Sequence, residues 1–510
     1  MINSILGYIK KNWLLILILL IGSFLRLYRI GEYMTFLGDE GRDAIIVRNL
    51  LVKADPILIG PGTSVGGMYL GPLYYYFMAP FLLFANFSPV GPAVGVALLG
   101  VATIYLVYLS GKDWFGEKAG LFASGLFAIS PTVIIYSHSS WNPNIMPFFA
   151  LLSVYSIWRV WKLKEYNWLV VTAVSFAFVL QSHYLGVLLG PVLFVYYCLS
   201  VYGLRATSYK NKNTQHITHN LITRSLIALL MFLFLMSPLL LFDVRHDWMN
   251  SRAFYKFVTV RQETVSIRPW TAIPKSYPIF EQINASMLTA KNEPAGQIVT
   301  ILIIISIFIF IVKNKEKIIH STYYMLLLWL ISGIIGFGIY KQHIYDHYFG
   351  FMFAIPFLLL GVFVENRIKL KNNIINLFII LGTLYLVAIN LKASPLMQTP
   401  NNQMKRSENV ANKIIELSGG DKFNIAVVAE RNYEGGYQYF LEKNNAKIVE
   451  IDAQIPDTIT KQLYVICEME KTKCNPTNSP KAQVASFGWS KIDSEFEVDG
   501  VIIYKLIHSK

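Results

Sequence analysis

Apolar residues in this chain fall in long unbroken runs, not at the alternating or three-to-four-residue spacing of a soluble fold. The runs are Trp13–Ile30, Gly91–Ser110, Ala119–Tyr136, Ile145–Trp161, Trp168–Gln181, Tyr184–Tyr202, Arg224–Phe242, Ala295–Val312, Ser321–Tyr340, Tyr348–Val364 and Ile374–Leu391. Most approach the roughly 20 residues needed to cross ~30 Å of hydrocarbon. Backbone amides there must be bonded within their own segment, so each run is predicted to be helical. The expected fold class is a polytopic α-helical membrane protein of about 11 transmembrane helices over residues 1–391. The first run follows Lys10 and Lys11 without a small-residue cleavage site and reads as an uncleaved anchor.

A twelfth run, Met68–Ser88, is apolar enough to span but carries Pro72 and Pro80 around Tyr74-Tyr75-Tyr76-Phe77. Those features suit a broken helix at the interface. Counting it as a span would invert every later loop. Assigned instead to an outer loop 31–90, it leaves Lys112/Lys118, Arg159/Lys162/Lys164, Arg205/Lys210/Lys212/Arg224, Lys313/Lys315/Lys317 and Arg367/Lys369/Lys371 all on one face. The positive-inside rule makes that face cytoplasmic. The N-terminus is then cytoplasmic, while a second outer loop, 243–294, and residues 392–510 are extracytoplasmic. The expected location is a multi-pass protein of a prokaryotic plasma membrane.

After residue 391 the pattern changes to that of a small α/β domain. Helices are expected at Ser407–Leu417 and Tyr437–Lys443, and strands at Phe423–Ala429, Ala446–Ile451, Gln462–Cys467 and Val498–Leu506. No glycine-rich phosphate loop is visible, so this domain receives no catalytic role.

Composition sharpens the picture. The 510 residues are 54% hydrophobic and 15% charged, too apolar for one soluble core. The net charge of +14 does not point to nucleic acid: residues 392–510 hold 15 Lys and Arg against 15 Asp and Glu, so the excess lies in the membrane domain. Three cysteines cannot staple a fold. Cys198 lies inside a span. Cys467 and Cys474 could pair in an extracytoplasmic domain or stay free thiols.

The densest polar cluster is Gly38-Asp39-Glu40-Gly41-Arg42-Asp43, just beyond the first span. Carboxylates and a guanidinium are costly to desolvate at a water–lipid boundary. One reading makes Asp39, with Glu40, the acid–base centre, and Arg42 a phosphate contact. The other makes Asp39 the N-cap of an interfacial helix whose Ala44, Ile45, Val47, Leu50 and Leu51 face lipid.

The first span ends Phe24-Leu25-Arg26-Leu27 and is followed by Asp39-Glu40-x-Arg42 and by Gly71-Pro72-Leu73-Tyr74-Tyr75. This pattern resembles the GT-C polyprenyl-phosphate-sugar transferases, which include protein O-mannosyltransferases and lipid A aminoarabinose transferases. As motif the resemblance covers about residues 24–80, and as layout residues 1–391. It implies inverting transfer from a polyprenyl-phosphate-linked sugar donor to a hydroxyl acceptor on protein, lipid or glycan, with Asp39 as the catalytic carboxylate. It implies no firm cofactor, leaving room for a divalent metal. One departure is plain: the family's His or Lys before its proline pair is here Leu70, and the first proline is Gly71.

Further candidates sit at the predicted outer ends of other spans. Arg245 and His246 open the second outer loop, and His343 and His347 lie between the ninth and tenth spans. The latter pair has the i,i+4 spacing of metal ligands, although interfacial anchoring explains such residues equally well. Trp141, Asn142, His138 and His183 lie in short outer turns, where an indole can stack on a sugar and amides or imidazoles can bond hydroxyls. Turn chemistry and helix capping are the plainer roles there. The glycines of Gly60-Pro61-Gly62 and Gly66-Gly67 suggest a flexible loop. A lipid or polysaccharide transporter would fit many spans too, but the chain shows no internal repeat or paired broken helices.

Overall fold

The computed structural model describes residues 2–63, 66–208, 215–259, 264–266, 268–313, 321–368, 372–431 and 433–509. All eleven predicted spans are helical. Some are continuous, as in Val90–Phe115, Gln215–Arg245, Glu293–Lys313, Thr322–Ile339 and Asn373–Lys392, while Ile2–Leu27 is kinked at Asn12, just before the predicted span. Others change direction where a proline or a tight turn interrupts the ladder, as at Ser130-Pro131 between Glu117–Ile129 and Pro131–Ile135. By length and apolarity, six helices among the described residues can each cross a membrane, and a bent pair, Asp346–Met352 with Ala354–Ile368 at 58°, makes up to seven.

The ambiguous apolar run forms only the helix Leu73–Phe84, of 12 residues. At ~1.5 Å per residue it is far too short to cross ~30 Å. It lies against the helix Gly38–Lys53 instead, with Tyr74, Tyr75, Met78 and Leu82 buried.

Ends predicted to share a side do gather at one pole. At one, Tyr69 N donates to Asn250 Oδ1 at 2.8 Å, Leu73 N to Gln181 Oε1 at 3.2 Å, and Trp141 lies 4.7 Å from His347 between ring centres. At the other, Ala119 N donates to Glu365 Oε2 at 3.1 Å and Trp158 Nε1 to Thr322 Oγ1 at 3.0 Å. Lys210, Lys212, Lys315, Lys317, Lys369 and Lys371 of the basic loops lie outside the described residues.

The carboxy-terminal region is a four-stranded sheet in the order β1 (Asn424–Val428), β2 (Gln462–Cys467), β4 (Val501–His508), β3 (Ser490–Val498). β1 and β2 are parallel and the other pairs antiparallel. Helices Gln403–Ser418 and Glu434–Lys443 appear where helices were expected. One expectation is corrected and one strand is additional. Ala446–Ile451 makes only an isolated bridge, Phe423 to Ile448, because the chain leaves the sheet edge after one residue. The strand β3 escaped notice because it is a charged, largely exposed edge, Ser-Lys-Ile-Asp-Ser-Glu-Phe-Glu-Val, which shows little apolar signal. Cys467 and Cys474 form a disulfide.

This domain does not hang free of the membrane helices. Phe36, Ile30 and Met34 of the first loop and Ala93 and Ala97 of the second span share one apolar core with Val410, Tyr437, Tyr439 and Phe440. Tyr439 Oη donates to Phe87 O at 2.5 Å.

Candidate active site

The first loop turns back through Ile30–Tyr33 and starts the helix Gly38–Lys53 from an extended Leu37. Glu40 reaches back so that its Oε2 accepts from Leu37 N at 3.0 Å, closing one half of a capping box. Asp39 is therefore a first-turn residue and not the cap, a placement that suits an anion at the positive end of the helix. The expectation of a lipid-facing stripe is also corrected. Ala44 is buried in the core shared with the carboxy-terminal domain, and Val47 is buried against the Leu73–Phe84 helix. Two protein surfaces, rather than lipid, cover this helix.

One guanidinium joins the acids. Arg42 Nη1 donates to Asp39 Oδ1 at 2.9 Å, while Nη2 and Nε donate to Asp43 Oδ1 at 2.7 and 3.0 Å. Asp43 is fully buried and also accepts from Tyr75 Oη at 3.0 Å. The side chain of Asp39 is 46% exposed. Asp43 thus anchors Arg42 inside the protein, and Arg42 fixes Asp39 at the surface of a cavity. Charge-assisted bonds of this kind are short and directional, so the carboxylate has a defined position.

That cavity measures about 320 Å³ and is lined by Thr35, Leu37, Asp39, Glu40, Tyr136, Ser139, Trp141 and Arg431, with Ile135. Burial raises the Glu40 carboxyl to about 8, with Asp39 and Asp43 nearby adding to the rise. It raises Asp43 to about 6 even against the neighbouring Arg42. Glu40 is therefore neutral at pH 7 and tied to the helix start.

The remaining sequence candidates divide by position. Trp141 forms a wall of the cavity, with His347 behind it and His183 6.0 Å from His347. His183 Nδ1 accepts from Leu185 N at 3.2 Å, and burial lowers its pKa to about 3, so it is a neutral cap. Asn142 donates to Ser182 O at 2.7 Å, and Tyr74 Oη bonds Ser140 Oγ at 2.7 Å. Both are buried and brace the wall from behind rather than facing the cavity. His343 is exposed and lines a second cavity of about 630 Å³ that shares Tyr136 with the first and contains the Lys291–Asp346 pair at 2.7 Å. Arg245 and His246 stand apart. His246 stacks on Phe242 and lines a different hollow with Gly66, Gly67, Arg252 and Lys256.

The spacing argument for a metal at His343 and His347 fails, because His343 is in irregular chain ahead of the helix that holds His347. Among the described residues no three His, Cys, Asp or Glu side chains are arranged to hold a metal ion. The flanks of the glycine-rich segment are paired: Gly60 N bonds Leu70 O at 2.7 Å and Gly62 bridges Tyr69.

Three residues escaped sequence reasoning as members of the site. Asp43 and Tyr75 had a signal, since Asp43 lies one helical turn after Asp39. Arg431 had none, being 392 positions from Asp39 by simple subtraction of their numbers.

Fold and site together define a polytopic helical membrane protein, with an acidic first-loop helix packed against a small α/β domain. The family model for dolichyl-phosphate-mannose-protein mannosyltransferase matches residues 70–242. The structure of ArnT from Cupriavidus metallidurans bound to undecaprenyl phosphate superposes with a TM-score of 0.62 at 12% identity, covering 97% of this chain and 98% of that one. The Archaeoglobus fulgidus oligosaccharyltransferase AglB, in complex with an inhibitory peptide and a dolichol-phosphate, gives a TM-score of 0.51 at 12% identity over 90% of this chain and 70% of that one. No curated protein sequence matches the chain. The resemblance first carried by Asp39-Glu40-x-Arg42 and the Tyr74-Tyr75 segment thus extends to the whole fold.

Proposed function

We propose that the protein is a membrane glycosyltransferase that moves a sugar from a polyprenyl-phosphate donor to a hydroxyl acceptor on the extracytoplasmic face. One observation carries the reading: Asp39, fixed by Arg42 at 2.9 Å, borders an aromatic-walled cavity at the pole away from the basic loops. Asp39 takes the acceptor's hydroxyl proton as the acceptor oxygen bonds to C1 of the sugar. The C1–O bond to phosphate breaks, and its electron pair leaves on the polyprenyl phosphate. A single displacement of this kind inverts configuration at C1. General base catalysis of such a step contributes about 10²–10⁴-fold.

The lipids bound to the similar structures support the donor class, since one is bound to undecaprenyl phosphate and another is in complex with a dolichol-phosphate. Two observations support the orientation. The positive-inside rule puts the basic pole in the cytoplasm, and the Cys467–Cys474 disulfide, in the domain packed on the Asp39 helix, suits an oxidising compartment.

Trp141 offers a ring face for the sugar. Asp43 holds the Asp39–Arg42 pair through Arg42, and Glu40 fixes the start of the helix that carries it. The test is sugar transfer in proteoliposomes supplied with a polyprenyl-phosphate sugar and a hydroxyl acceptor. Transfer by wild type, and transfer slower by about 10²–10⁴-fold in Asp39→Asn, is the expected result, and equal transfer by both overturns the assignment of the base.

A further inference from the structure

A leaving phosphate needs a cation, and the acidic loop has none to spare. Arg42 is already divided between Asp39 and Asp43, one guanidinium against two carboxyl groups. It is also absent from the cavity lining. The aromatic segment beside the site contributes none either: Leu70 is buried and apolar, and Gly71 is pressed against Gln181.

The cavity nevertheless has one cationic wall. Arg431, from the carboxy-terminal domain, lines it together with Asp39, Glu40 and Trp141, and is exposed. No other Lys or Arg lines this cavity among the described residues. Among those residues Arg431 also has no carboxylate partner, unlike Arg42 and unlike Arg406, which pairs with Glu468 at 3.3 Å.

The position of Arg431 is set by the docking of its domain. It follows β1 and precedes the helix Glu434–Lys443, whose Gly435 and Gly436 approach the backbone of Leu37, Gly38 and Arg42. The same helix is held from its far side by the bond of Tyr437 Oη to Glu468, and from the membrane side by the bond of Tyr439 Oη to Phe87 O. Arg431 thus sits between two anchored elements, β1 and this helix, and lines the Asp39 cavity.

We propose that Arg431 binds the phosphate of the polyprenyl-phosphate donor and of the product it leaves, so that the carboxy-terminal domain completes the active site. This rests on the transferase reading above. Arg431 supplies charge where the C1–O bond breaks, on the opposite side of the sugar from Asp39. A guanidinium suits the task, because it presents two parallel donors to a phosphate and keeps its charge at any working pH.

The test uses the full-length protein in nanodiscs, with farnesyl phosphate and farnesol as probes that differ only in the phosphate. Wild type is expected to bind farnesyl phosphate at least tenfold tighter than farnesol. Arg431→Gln should lose about 10- to 100-fold in affinity for farnesyl phosphate, with farnesol binding unchanged. Arg431→Lys should recover part of the loss, as a point charge without the fork. If wild type prefers the phosphate and Arg431→Gln prefers it equally, the role of Arg431 is overturned and the transferase reading stands. If wild type shows no preference for the phosphate, the transferase reading itself is overturned.

Discussion

Gly41 and Gly435 meet backbone to backbone: a Cβ on Gly41 would overlap the carbonyl of Gly435, and a Cβ on Gly435 would overlap the carbonyl of Gly38. This contact joins the helix that carries Asp39 to the helix that follows Arg431. Two elements separated by nearly the whole chain come within van der Waals distance only because neither has a side chain there. Gly41→Leu is expected to undock the domain and remove sugar transfer while leaving both halves folded. Limited proteolysis should then cut more readily between residues 393 and 402, and an unchanged cleavage pattern with full transfer would dismiss the contact as incidental.

Asp39→Asn retains the shape of the side chain and can still bond Arg42, so the protein should melt as wild type does. Transfer should fall by about 10²–10⁴-fold, the usual contribution of a positioned base. The measurement is the initial rate in proteoliposomes, alongside a thermal melt to establish folding.

Tyr75 acts at one remove. Its hydroxyl bonds Asp43, which anchors Arg42, which holds Asp39. Tyr75→Phe removes one hydrogen bond, at a cost of about 1 kcal/mol in stability. Because Arg42 would be less firmly held, turnover should drop more than donor affinity. A pure stability loss, with kcat intact in the folded fraction, would show that Tyr75 only packs.

Two buried carboxyl groups set the pH range. Asp43 takes up a proton near pH 6, which weakens its hold on Arg42, and Glu40 loses one near pH 8, placing a third charge beside Asp39 and Asp43. Transfer should be greatest between about 6 and about 8 and fall on either side. Glu40→Gln keeps an acceptor for Leu37 N but cannot ionise, so the alkaline limb should vanish and the acid limb persist.

The same substitution has a stability signature. Glu40 is raised from 4.5 unfolded to about 8 folded, so the stability linked to its neutral form is complete below pH 4.5 and is lost as pH rises through 8. The melting temperature of Glu40→Gln should therefore exceed that of wild type by a margin that widens from pH 4.5 to about 8 and then stays constant. A margin independent of pH would mean that Glu40 titrates normally.

The apolar runs by themselves determined where the apolar helices lie, because hydrocarbon requires continuous, internally bonded segments whatever else surrounds them. The basic loops determined which ends lie together, and the structure gathers those ends at common poles. The acidic cluster was legible for a similar reason: charge beside lipid is too costly to keep without use. Tertiary structure alone decided the rest. It buried Ala44 and Val47 in protein where lipid was expected, divided Glu40 and Asp43 from Asp39 by burial, and brought Arg431 to the cavity. None of these could be read along the chain, since burial and proximity are set by which surfaces pack together. Here two glycines with no periodic signal, Gly41 and Gly435, permit that packing.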